Sequence, residues 1–145
     1  MDAGLLIVAF SDLTTPRRFA INKQKGIANM AMRRFMAIHT YHSEDAKKAM
    51  MQWGAENTAS QKEFMAAQVF EKCRTVATWI GSDDFFFCHW LAETDEDIHN
   101  ALRQNGMDQL VLTACYETSI HMDEACVTDE RAFPISALQA MENAL

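Results

Sequence analysis

The stretch "FFFCHWLA" at residues 85–92 has no polar face. In an extended strand successive side chains point to opposite sides. One side then carries Phe85, Phe87, His89 and Leu91, and the other Phe86, Cys88, Trp90 and Ala92. Both sides need cover from water, so this strand belongs inside a sheet that is buried on two faces. Just upstream, "CRTVATWI" (73–80) reads as a second strand, and "GSDD" between them supplies turn residues. The two strands predict an antiparallel hairpin.

A strand and a helix can be read on either side of this hairpin. "RRFMAIHTYH" (33–42) is rich in β-branched, aromatic and apolar residues and predicts a strand. Ser43 is an N-cap, Glu44 and Asp45 suit a helix start, and Ala46, Ala49, Met50 and Trp53 fall at helical spacing. Gly54 and "ENTAS" weaken that helix, and "QKEFMAAQVFEK" (61–72) reads as a further helical piece. Thr94 with Asp97 forms a capping box for a helix that turns Ile98, Ala101 and Leu102 inward and ends at Asn105–Gly106. "QLVLTACYET" (109–118) is a fourth strand, and "DEACVTDERAF" is a loop. Pro134 opens a short terminal helix, expected to dock on the domain through Ile135, Leu138 and Met141.

The order β-α-β-β-α-β predicts an α+β, ferredoxin-like sandwich: a four-stranded antiparallel sheet with helices on one face and the first and third strands as central neighbours. Two helices cover one face only. A second copy of the sheet is the economical cover for the other, so a homodimer of the dimeric α+β barrel kind is expected.

A chain of 145 residues, 49% hydrophobic, is most simply one domain. We assign that domain to 32–122, and a loop with the docking helix to 123–145. Residues 1–31 stand apart. "LLIVAF" is apolar, but no Lys or Arg precedes it and no cleavage pattern follows, which argues against a secretory signal. Either translation starts at Met30 or Met32, leaving a disordered or mis-annotated leader, or "LLIVAF" adds an edge strand. A net charge of -7 without a basic run argues against nucleic-acid and anionic-membrane partners. No stretch reaches the roughly 20 apolar residues of a membrane span. Cys73, Cys88, Cys115 and Cys126 form no C-x-x-C, and three of them lie in strand-like runs. Buried, reduced thiols in a cytoplasmic protein are the reading.

With "FMAIHTYH", "ATWIGSDDFFFCHW", "DEDIHNAL" and "QLVLTACYE" together, the chain resembles the small, mostly uncharacterised ferredoxin-like proteins related to a nickel-binding protein, within the wider dimeric α+β barrel assemblage. The resemblance covers roughly residues 32 to 122. It implies a ferredoxin-like protomer, dimerisation and, as in one relative, bound nickel, for which His39 is the best-fitting ligand position. Relatives place a helix histidine a little later than His99. The assemblage also holds cofactor-free oxygenases and isomerases, so the fold does not select a reaction, and whether this chain is an enzyme stays open.

Five histidines are candidates for chemistry: His39, His42, His89, His99 and His121. On adjacent strands, His39 and His89 lie side by side provided both point to one face, and imidazoles suit nickel or another divalent transition metal. Glu71, Glu117 or Cys88 are then the further donors. Cys88 and His89, being consecutive, point to opposite faces and do not share a site without a bulge. The plainer reading makes both histidines interior or interface residues. Trp79, Phe87, Cys88, Trp90, His99 and Tyr116 are likewise packing residues first; the sharper alternative is a small apolar pocket between sheet and helices, polar only at His39, His89 and Tyr116. "ETDED" is explained by the helix start it occupies. Three functions are compatible with these residues: a metal-binding protein using the sheet histidines, a binding protein or cofactor-independent enzyme for a small apolar molecule, or a structural or regulatory homodimer.

Overall fold

The computed structural model describes residues 31–145. An edge strand at "LLIVAF" and a start at Met30 lie outside the described residues. The elements are β1 (Arg33–Tyr41), α1 (Glu44–Glu56), α2 (Gln61–Ala67), β2 (Cys73–Ile80), β3 (Phe85–Ala92), α3 (Asp95–Asn105), β4 (Val111–Glu117) and α4 (Ile135–Glu142). Short 3-10 turns lie at Met107–Gln109 and Glu124–Cys126. The fold is α+β, with one four-stranded sheet in the order β2-β3-β1-β4 and every pairing antiparallel. This is compatible with the ferredoxin-like arrangement.

Local chemistry explains where the elements start and stop. Ser43 Oγ accepts the Ala46 N–H at 3.1 Å and opens α1. Thr94 and Asp97 cap each other's backbone amides and open α3, an arrangement that contributes about 1 kcal/mol. Gly106 ends α3 at φ 79, a left-handed conformation that side-chain-bearing residues resist. α1 runs through Gly54 to Glu56, and α2 stops at Ala67, shorter than the helical piece read from 61–72.

Strand alternation sorts the sheet into two faces. The inner face carries Phe35, Ala37, His39 and Tyr41 from β1 and Phe86, Cys88, Trp90 and Ala92 from β3, all buried. Met50 of α1 and Ile98, Ala101 and Leu102 of α3 close over them to form the core. Each large side chain buried there contributes roughly 1.5–3 kcal/mol. β2 carries a bulge at Val76, between Thr75 and Ala77.

The outer face holds Met36, Phe85, Phe87, Ala77, Trp79, Leu112 and Tyr116, several of them widely exposed. α4 departs from expectation: Ile135, Leu138 and Met141 stay exposed and no residue of the helix is buried. The inner face is already covered by α1 and α3, so this helix has no place in the core.

Candidate functional site

The strand register creates a step in side-chain size. One row across the sheet reads Thr78, Cys88, Ala37 and Cys115, all small. The row on one side places Thr75 opposite Trp90 and Phe35; the row on the other places Ile80 opposite Phe86 and His39. Large residues thus flank a shallow trough. Met50 and Trp53 of α1, Phe64 of α2, and Leu102 and Asn105 of α3 roof it, leaving a cavity of about 50 Å³. A single water needs roughly 10–15 Å³ on this measure, so the space suits a molecule of about three or four non-hydrogen atoms.

Three polar atoms in this lining have no hydrogen-bond partner among the described residues: His39 Nε2, Thr75 Oγ1 and Trp90 Nε1. His39 and Trp90 are each 1% exposed. Buried polar atoms in native proteins are nearly always satisfied, so three orphans around one cavity are informative. The other polar groups are occupied where their bonds are known. Thr78 Oγ1 lies 3.4 Å from Cys88 Sγ, and Asn105 Oδ1 accepts the Met107 N–H at 3.1 Å.

His39 is held by two contacts. Its ring stacks on Phe86 with centroids 4.6 Å apart, and Nδ1 lies 2.7 Å from Thr113 Oγ1 on β4. Burial, helped by the nearby His99, lowers its pKa to about 4. It is therefore a neutral imidazole at physiological pH. The Cys88 thiol, pushed up to about 11 by burial, is neutral too. Among the described residues nothing charged at neutral pH lines the cavity.

The register corrects the expected histidine pair. His39 pairs with Phe86 and His89 with Met36, so the two imidazoles lie on opposite faces of the sheet and do not meet. The condition under which they would share a metal is not fulfilled, because β1 and β3 align with the two histidines out of phase. His89 instead meets His121, ring centroids 5.0 Å apart, while Arg34 Nη1 lies 3.3 Å from His89 Nε2. Burial, then Arg34 and His121, lower the His89 pKa, and a cation beside the ring also opposes a metal ion there. Glu117 is taken up by Arg33 at 2.5 Å. Among the described residues no three His, Cys, Asp or Glu side chains come together to hold a metal.

The expected pocket is also redrawn. Trp90 and Cys88 line the cavity, but Trp79, Phe87, His89 and Tyr116 belong to the outer face. His99 lines a separate, more open depression of about 190 Å³ with His42, Arg103 and Thr113. Arg103 there is held by Glu96 and Asn100, and His42 by the Asp108 carbonyl. Sequence reading missed Thr75, Thr78, Gln68 and Thr113. Only the non-local register, which places Thr75 beside Trp90 and Thr113 beside His39, marks them out.

The chain matches no family model, no curated protein and no solved structure. Among the described residues no helix is long and apolar enough to cross a membrane.

Proposed function

We propose that this chain binds a small organic molecule in the cavity between its helices and its sheet. The observation that carries this reading is an apolar cavity whose lining includes His39, Thr75 and Trp90, each with a buried polar atom that has no partner among the described residues. Apolar walls with a few convergent polar groups are how proteins hold small ligands. The strand order supports reading the protomer as ferredoxin-like. The transition-metal reading implied by the family resemblance has weaker support, since its two sheet histidines face apart and Arg34 adjoins one of them.

A second copy is the proposed cover for the outer face, giving a dimeric α+β barrel. Trp79, Phe85, Phe87, Leu112 and Tyr116 expose apolar surface on three different strands of that face. Contiguous apolar surface of this kind marks an interaction site.

Ligand-observed NMR with uncharged fragments of about three or four non-hydrogen atoms, run on the native chain and on Cys88→Met, tests the cavity. The longer side chain rises from the trough floor, so fragments bound by the native protein are expected to lose binding. Equal binding by both proteins would remove the cavity as the site.

A further inference from the structure

The outer face of the sheet and the segment that follows β4 are complementary, yet they do not meet within one chain. Trp79, Phe85, Phe87, Leu112 and Tyr116 make the outer face apolar. Among the described strands no Asp or Glu points to that side, although the chain carries a net charge of -7. Its fixed charges are cations instead: Arg34 and Arg74 flank Leu91 in one row across the sheet. Neither forms an ion pair among the described residues. Arg34 lies against the buried His89 ring.

Residues 122–145 are the counterpart. They carry Asp123, Glu124, Asp129, Glu130 and Glu142 against the single cation Arg131. α4 adds an apolar stripe of Ile135, Leu138 and Met141, and no residue after Val111 is buried. This arm is rooted on the outer face. The Thr118 N–H donates to the Arg34 carbonyl at 2.8 Å, and the His121 and His89 ring centroids lie 5.0 Å apart. Beyond His121 the arm leaves that face, so Trp79 and Phe87 stay exposed and the stripe on α4 does too. The chain between His121 and Ile135 extends at most roughly 45 Å. That is ample to reach a facing sheet about 10 Å away.

We propose that two copies of this chain exchange their C-terminal arms. α4 of each copy lays Ile135, Leu138 and Met141 on the outer face of the other, at the end that carries Arg34 and Arg74. This rests on the reading that a second copy covers the outer face, and it names the part of that copy that does so. The carboxylates of the arm supply the counter-charge that Arg34 and Arg74 lack in their own chain, which sets the direction of the arm. A twofold axis makes the exchange reciprocal, so every contact forms twice. The remainder of the face is left for the contact of sheet with sheet.

The test is sedimentation velocity on the full chain over a concentration series. The native protein should be a dimer. Leu138→Glu with Met141→Glu changes exposed positions only, so the fold should stand. The dimer should weaken about a hundredfold, because the new carboxylates would be buried without partners. Arg74→Glu should weaken it roughly tenfold, and that difference should shrink as salt is raised. Acrylamide quenching, taken as the difference between the native chain and Trp79→Phe, should find Trp79 shielded in the native dimer and open in the α4 variant. A native dimer indifferent to the α4 variant or to Arg74→Glu overturns the exchange and leaves the contact of sheet with sheet standing. So does an α4-dependent dimer in which Trp79 stays open. A native monomer overturns both readings; a shielded Trp79 in that monomer would mean that the cover comes from the same chain.

Discussion

His39 and Thr113 face each other across the β1–β4 pair, with Nδ1 and Oγ1 2.7 Å apart. This contact fixes the ring, whose other nitrogen is buried without a partner among the described residues. The same burial that makes the imidazole a neutral ligand group makes it costly to protonate.

Stability should therefore depend on pH. His39 has a folded pKa of about 4 against an ordinary value of 6.5. Below the ordinary value the unfolded chain takes up a proton that the folded chain refuses. The stability is complete above pH 6.5 and is lost as pH falls toward 4, by about 3 kcal/mol at the lower end. Urea midpoints measured from pH 7 to 4 should fall more steeply for the native protein than for His39→Leu. Parallel curves would show that His39 does not resist protonation.

Thr75→Val removes a buried hydroxyl that has no partner among the described residues and keeps the side-chain shape. An unsatisfied buried hydroxyl costs roughly 1–3 kcal/mol, so the variant should be as stable as the native chain or about 1 kcal/mol more stable. Thr78→Val, which loses the contact to Cys88 Sγ, should gain nothing. Thermal unfolding of both variants separates an unpaired group from a paired one.

The thiols should divide by reactivity. Burial pushes Cys73 up to about 12 and Cys88 and Cys115 up to about 11, so little thiolate exists at neutral pH. Cys126 is exposed. A chromogenic disulfide reagent should titrate one thiol quickly in the native chain and four after unfolding. Fast reaction of a second thiol would show that the sheet opens readily.

Leu112 is 68% exposed on the outer face. Leu112→Glu should leave circular dichroism unchanged, because the side chain touches no core. If two copies join through this face, light scattering should give a dimer for the native chain and a monomer for the variant, since the new carboxylates would be buried without partners. A native monomer would remove the dimer.

Local features of this fold were legible in the sequence. The limits of β2 and β3 follow from composition and turn residues, and Ser43, Thr94 and Gly106 mark helix ends through chemistry confined to a few neighbours. The inward stripe of Ile98, Ala101 and Leu102 is equally local. The cavity was not legible in this way. Whether His39 faces His89 or Phe86 depends on how β1 slides against β3, and a slip of one residue exchanges every side chain between faces. The row of Thr78, Cys88, Ala37 and Cys115 comes from four separate stretches of chain and exists only once that register is set. The exposure of α4 has a related cause: an apolar stripe shows that a helix has a sticky side, not where the chain carries that helix.

The bulge at Val76 shifts the parity of β2. Cys73 and Thr75 point inward before it, and Thr78 and Ile80 after it, while Trp79 is sent out to the solvent side. Were Val76 instead to pair with His89 as an ordinary ladder residue, odd-numbered positions would continue inward and the Trp79 indole would descend opposite Phe86. The hollow therefore depends on a one-residue miscount between two strands. The same residues zipped straight through, with nothing looped out, would fill the interior with an indole and leave nowhere to put a guest.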